Sequence, residues 1–337
     1  MKLPAQSHLS DSNYPIPSLE LVKDDLERVK ELMDSELMSS SGGKRRSEID
    51  RLLESLSHRS GKMLRPGLVL LSGKCFDCIT DSHIKIAACV ETIHNATLLH
   101  DDVIDEGSQR RGKPTINSLW GNESAVLLGD LLLSHVFKLS SELEPEVTQV
   151  LADAAVRICE GELRQSVQKD NWQLSESEYI DIISKKSGAL FSSSCYLGAV
   201  LAHADETHKR LLYDFGLNAG IAFQIADDLL DIIGDEKRTG KTKGCDADKH
   251  KPTLAIIHLL RTVESEKRNE LIESFLEGDK SFIERLEEHG SLAYAAAQAK
   301  EYTSKAIRSL SDSNGLTNSN AKNALIETAR FMADRVR

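Results

Sequence analysis

The chain has 337 residues, 42 basic and 53 acidic, giving a formal net charge of −11, which argues against a nucleic-acid binder that relies on an overall basic field. With 40% hydrophobic and 28% charged residues, it is too apolar for a mainly disordered chain and holds enough material for one large core or two domains. Six cysteines are too few for a disulfide scaffold, and the Cys75 and Cys78 pair has no second Cys-x-x-Cys to complete a zinc site, so reduced, mostly buried thiols are expected.

The first seventeen residues, MKLPAQSHLSDSNYPIP, contain three of the seven prolines and no apolar h-region. They read as a disordered tail without a signal or transit peptide, which makes the cytoplasm the default location. A helix is expected from about Ser18 to Leu37, then a flexible SSSGGKRR loop from Ser39 to Arg46, then helices to the end, so that residues 18–337 form one helical domain. No proline falls between Pro145 and Pro252, a stretch dense in Ala, Leu, Ile, Glu and Lys. Leu151, Ala155, Ile158, Cys159 and Leu163 recur at helical spacing there, and no sustained period-two alternation asks for strands. The fold class expected is all-α. The longest uncharged run, Ser187 to Ala204, carries four serines, a histidine and two glycines and reads as a buried helix, not a membrane span.

One pattern occurs twice: an apolar stretch that ends in two aspartates, two aliphatics and a third aspartate. It appears as LLHDDVID, with Asp101, Asp102 and Asp105, and as QIADDLLD, with Asp227, Asp228 and Asp231. On a helix the first and third aspartates lie about 40° apart, with the second beside them, so each trio is expected to converge on one patch. Hard oxygen ligands at this spacing suit Mg²⁺, which keeps some waters and binds substrate phosphates. A single such trio is most often a solvated acidic face; two copies, each ending an apolar stretch, point instead to a polyanion held between them through metal ions. Cations surround the clusters: Lys62 and Arg65 in GKMLRP, Arg110, Arg111 and Lys113 after the first trio, Lys241 and Lys251 after the second. Such forks let an acidic protein take an anionic substrate. His94, seven residues before Asp101, projects on the same helix face. With Glu91 it also completes a Glu-x-x-His, the mark of a di-iron bundle, but no second copy exists in the chain.

In combination, GKMLRP, ETIHNATLLHDDVIDEGSQRRGKPT, the KSG at Lys186 to Gly188, FQIADDLLD and GKTKGCDADKHKPT resemble the trans-isoprenyl diphosphate synthases, or polyprenyl synthetases. The resemblance runs from about Gly61 to Thr253 and is greatest to the long-chain, octaprenyl or solanesyl type. It implies a helical bundle with a central active-site cavity, and an enzyme condensing an allylic diphosphate, farnesyl or geranylgeranyl, with successive isopentenyl diphosphates. The product would be an all-trans long-chain polyprenyl diphosphate, with pyrophosphate released. By the same resemblance the six aspartates hold Mg²⁺, three ions when substrate is bound. Arg110, Lys186, Lys241 and Lys251 grip the allylic diphosphate; Lys62, Arg65, His94 and Arg111 bind isopentenyl diphosphate; Gln224 sits beside the reacting centre. Met63 and Ser187 stand where relatives often have Arg and Thr, without loss of a matched charge. A homodimer is implied, as is loose membrane association at most, for release of a poorly soluble product.

The resemblance further implies that the residue five before the first aspartate gates chain growth. Here it is Ala96, with Thr92 or Ile93 and Cys89 on its face and no aromatic plug. A geranylgeranyl or farnesyl diphosphate synthase is the alternative, with a floor set by a neighbouring helix at Leu131, Leu132, His135 or Phe137. A class I terpene cyclase fits less well, because the second cluster is DDLLD. A non-catalytic subunit of a heteromeric synthase is the alternative of a different class, although such subunits usually lose these aspartates or cations.

Overall fold

A computed structural model describes residues 16–39, 48–57, 61–110, 112–233, 251–279, 281–311 and 315–334. The expected loop at Ser39 to Arg46 lies outside them apart from Ser39, the last residue of α1 (Lys23–Ser39). The start differs from expectation by two residues: Ile16 is 1% exposed and Pro17 opens a 3₁₀ turn, Pro17–Val22, that buries Leu19 and Val22. An apolar Ile-Pro-Ser-Leu run gains more from the core than from water, and proline at the first helical position presets the turn.

The helices that follow are α2 (Glu48–Ser57), α3 (Leu64–Lys74), α4 (Asp81–Ile104), α5 (Ile116–Trp120), α6 (Asn122–Ser140), α7 (Pro145–Val167), α8 (Glu176–Ile183), α9 (Ala189–Leu201) and α10 (Glu206–Ile233). Beyond residue 250 come α11 (Leu254–Thr262), α12 (Ser265–Leu276), α13 (Ser281–Glu288), α14 (Ser291–Ser311) and α15 (Ser319–Ala333). Local signals account for several starts. Thr80 and His83 form a capping box on α4, Ser175 and Glu178 one on α8, and Pro145 takes the first position of α7. Among the described residues the exception to all-α is a two-residue antiparallel pair, β1 (Gln109–Arg110) and β2 (Lys113–Pro114). Its tight turn uses Gly112 at φ 72°, a conformation cheap only for glycine.

The run expected to be a buried helix is α9, preceded by a π-helical turn, Ser184–Gly188. α9 packs against α3, α7 and α10, and α3 in turn against α4. Phe191 of α9 and Phe215 of α10 are fully buried at this junction, each contributing about 2 kcal/mol by burial. The helices approach closely because glycines face each other: a Cβ on Gly216 would stand 2.5 Å from the Phe191 carbonyl oxygen, and one on Gly220 2.9 Å from the Gly188 Cα. A second core joins α8, α10, α11, α12, α13 and α14. A third, smaller core lies between α4 and α6 and contains Ala96.

The stripe expected on α7 is only half correct. Leu151 and Ile158 are buried, with Val147, Ala154 and Gly161, whereas Cys159 is exposed and Leu163 is 68% exposed. α7 carries a second apolar face, and a period of 3.6 residues cannot say which face turns inward. Cys75, Cys89 and Cys195 are buried free thiols, each pushed up to about 12 by burial. Among the described residues no helix is long and apolar enough to cross a membrane.

Candidate active site

Asp101 and Asp102 occupy the last turn of α4, and Asp105 is its C-cap. The chain then turns back: Glu106 takes φ 50°, and the Gly107 N–H donates to the Asp102 carbonyl at 2.9 Å. The Asn117 amide donates to the carbonyls of Asp102 and Gly107, and the Thr115 hydroxyl to that of Gly107. The hairpin is thereby fastened against the helix end. It aims Arg110 at the aspartates, and Arg110 Nε donates to Asp102 Oδ1 at 2.7 Å.

The trio does not converge as one patch. Asp102 is 6% exposed and turned to Arg110, while Asp105 pairs with Lys251 Nζ at 3.2 Å. Among the described residues no three His, Cys, Asp or Glu side chains stand close enough to hold a metal ion by themselves. That arrangement fits Mg²⁺, which takes one or two carboxylates and completes its shell with water and substrate phosphate. Burial pushes the Asp101 carboxyl up to about 6, although Lys186 opposes the shift.

The second cluster sits near the end of α10, on Asp227, Asp228 and Asp231. Burial pushes Asp228 up to about 6, against two hydrogen bonds that favour its charged form. The Tyr179 hydroxyl of α8 donates to Asp228 Oδ2 at 2.6 Å, and Gln224 Nε2 donates to Oδ1 at 2.7 Å. The Ser187 hydroxyl donates to the Gln224 carbonyl oxygen in turn.

The π-helical turn joins the two clusters. Ser187 reaches Gln224 and so the second cluster, while its neighbour Lys186 faces the first. Lys186 Nζ is 2.5 Å from Glu162 Oε2 and donates to Gln165 Oε1 at 2.9 Å, both on α7. Burial pulls the Lys186 ammonium down, but Asp101 and Glu162 outweigh it and hold its pKa above the usual lysine value. Lys251 closes the circle from the other side, since it follows α10 in the chain and pairs with Asp105 of α4.

Of the other expected residues, Arg65 lies with its guanidinium 4.3 Å from the Phe191 ring centroid, and Phe191 packs on Phe223, the neighbour of Gln224. Lys62 stands over the Phe331 ring of α15 at 5.2 Å. His94 is half-buried. Glu91 is buried and lines a cavity between α4 and α6. Arg111 and Lys241 lie outside the described residues. Tyr179, Glu162, Gln165 and Gly161 were not legible from the sequence, because no motif marks them and only the packing of α7 and α8 brings them here.

Residues 46–289 match the polyprenyl synthetase family model. The chain is 33% identical over 323 residues to a short chain isoprenyl diphosphate synthase of Methanothermobacter thermautotrophicus, covering 93% of this chain and 98% of that one. It is 34% identical over 281 residues to an octaprenyl diphosphate synthase of Haemophilus influenzae, covering 82% and 84%. The crystal structure of a polyprenyl synthase from Caulobacter crescentus, complexed with calcium and isoprenyl diphosphate, superposes with a TM-score of 0.86 at 32% identity, over 97% of this chain and 99% of that chain.

Gly161 places Lys186, because a Cβ there would stand 2.4 Å from the Lys186 backbone nitrogen and 2.9 Å from its Cα. Gly161→Ala is expected to displace the π-helical turn and cost about 1–3 kcal/mol of stability. Denaturant unfolding checks this, and unchanged stability would show that the turn can shift freely.

Proposed function

This chain belongs to the polyprenyl synthetase family and is a trans-prenyl diphosphate synthase, and we propose that it condenses an allylic diphosphate with isopentenyl diphosphate between the two aspartate clusters. The observation that supports this reading is the turn carrying Lys186 and Ser187, in which Lys186 lies in the field of Asp101 and Asp105 while Ser187 bonds Gln224, the partner of Asp228; Arg110 and Lys251 pair with Asp102 and Asp105 of the first cluster. The six aspartates are the carboxylates proposed to hold Mg²⁺; of them Asp102 also accepts from Arg110, Asp105 from Lys251, and Asp228 from Tyr179 and Gln224. Bound there, Mg²⁺ would neutralise charge developing on the leaving diphosphate.

The protein's own part is electrostatic and positional. Arg110, Lys186 and Lys251 lie fixed against carboxylates before substrate arrives, so stabilising a diphosphate needs little reorganisation. The allylic carbon–oxygen bond breaks and its electron pair leaves with pyrophosphate. The double bond of isopentenyl diphosphate then forms the new carbon–carbon bond, and a proton is lost to the departing pyrophosphate. Lys62, Arg65 and His94 are proposed to hold the second diphosphate alongside, which removes much of the entropic barrier.

Ala96, fully buried beside Leu128 and Leu132, supports growth beyond farnesyl toward the long-chain product. A geranylgeranyl-length product is the second reading, favoured by the polar side chains Glu91, Thr92 and Asn95 that α4 turns to a cavity against α6. A homodimer is proposed as well. Val126, Leu127 and Phe137 on α6, with Val156, Leu163 and Val167 on α7, are 39% to 80% exposed, and burying such apolar side chains against a second copy would favour the dimer.

Asp101→Ala and Asp227→Ala are each expected to lower pyrophosphate release from farnesyl plus isopentenyl diphosphate by orders of magnitude while leaving the fold intact. Near wild-type rates would refute the site, and no release by the wild type would favour a subunit of a heteromeric synthase. Ala96→Phe is expected to shorten the product by one or more isoprene units, and an unchanged distribution would place the gate elsewhere. Sedimentation is expected to return twice the chain mass, and a monomer at micromolar concentration would exclude the dimer.

A further inference from the structure

Glu160, Gly161 and Glu162 of α7 straddle the π-helical turn. A Cβ on Gly161 would stand 2.4 Å from the Lys186 nitrogen and 3.0 Å from the Lys185 carbonyl carbon, so the two backbones touch there. Neighbours on a helix point about 100° to either side, and the two glutamates meet one each of the two adjacent lysines. Lys185 Nζ lies 3.7 Å from Glu160 Oε2 and 3.3 Å from Asp181 Oδ2, on an outer side where those carboxylates are 52% and 44% exposed. Lys186 Nζ lies 2.5 Å from Glu162 Oε2 and 2.9 Å from Gln165 Oε1, and the Glu162 side chain is only 21% exposed. This inner pair faces the first aspartate cluster, since Asp101 and Asp105 both act on Lys186 and Glu162 acts on Asp101. Among the described residues, the short contacts of Lys186 are nonetheless both on α7. A cation proposed to grip the allylic diphosphate is thus held by a carboxylate that is not one of the six aspartates.

We propose that Glu162 is the resting counter-ion of Lys186: the ammonium exchanges this carboxylate for the allylic diphosphate when substrate binds and returns to it when pyrophosphate leaves, so that Glu162 speeds pyrophosphate release. The inference rests on the proposed prenyl transfer at this site and adds a positioning residue that acts through Lys186. No covalent bond is made or broken in the exchange, and the proton stays on Lys186 throughout. An ammonium this withdrawn from water would be costly without a partner, and Glu162 removes that cost before substrate enters and after pyrophosphate departs. Its negative charge also opposes any anion placed beside Lys186. Pyrophosphate is therefore held less tightly than the cations alone would hold it, which matters where one pyrophosphate must be shed for each isoprene unit added. Glu160 carries the same charge but faces the outer side, with Lys185.

The test measures the binding of inorganic pyrophosphate in the presence of Mg²⁺ by calorimetry, and pyrophosphate inhibition of turnover with farnesyl and isopentenyl diphosphates, in wild type, Glu162→Gln, Glu162→Asp and Glu160→Gln. Glu162→Gln is expected to bind pyrophosphate more tightly than wild type, by roughly threefold to tenfold, with the inhibition constant lowered by a similar factor. A role confined to packing predicts the opposite sign, because a displaced Lys186 would grip the anion less well. Glu162→Asp keeps the charge but draws it back from Lys186, so a smaller shift in the same direction is expected, and this variant carries the test should Glu162→Gln fail to fold. Glu160→Gln makes the same change of charge on the outer side and is expected to leave the affinity as in wild type. Folded Glu162 variants with unchanged or weakened pyrophosphate binding would overturn the counter-ion role and leave the prenyl transfer reading intact. An equal gain in Glu160→Gln would do the same, by tracing the effect to net charge alone. A wild type that neither binds pyrophosphate nor makes product would overturn both.

Discussion

The site depends on one turn of backbone, Ser184–Gly188, wound as a π-helix between α8 and α9. Its extra residue per turn lets Lys186 face the first aspartate cluster while the adjacent Ser187 engages Gln224 and, through it, the second. In a regular helix the hydrogen bonds of this turn would close one residue earlier and the two side chains would leave at different angles, and such π-turns often mark functional sites for this reason. The turn is held from two sides by missing side chains. Gly161 brings α7 against the backbone of Lys186, and Gly220 brings α10 against Gly188. Interiors packed at crystal-like density transmit such contacts rather than absorb them.

Around that turn, every described cation proposed for the allylic diphosphate is already matched to an internal acceptor: Arg110 to Asp102, Lys251 to Asp105, Lys186 to Glu162 and Gln165. Charges this deeply placed would be costly without partners. The same burial raises Asp101 and Asp228 to about 6, because the loss of water disfavours their charged forms. An arrangement with opposed charges held apart at fixed positions suits a reaction whose difficulty is the charge that develops on a departing diphosphate.

The helices that build the site also serve other surfaces. α4 carries Asp101 in its last turn, buries Ala96 in the smaller core against α6, and turns Glu91 to a cavity between α4 and α6. α7 turns Gly161 and Glu162 toward Lys186 while Val156, Leu163 and Val167 remain exposed. The unequal demands of the two faces explain why its apolar residues do not form a single stripe.

By itself the sequence determined the all-α class, the two aspartate trios at the ends of apolar helices, and the cations near them, because helical period, proline placement and charge spacing are local properties. Local signals also marked the run from Ser187 onward as buried. Tertiary structure alone decided the partners of these aspartates: Asp102 meets Arg110, Asp105 meets Lys251, and Asp228 meets Tyr179 and Gln224. It alone placed Glu162 and Gln165 on Lys186, turned Leu163 outward, and brought His135 to Glu36 across a gap of 99 positions in the chain. Those outcomes depend on how helices far apart in sequence close on one another, and on the missing Cβ atoms at Gly161 and Gly220. Helical spacing specifies the face on which a residue sits, and only packing specifies what that face meets.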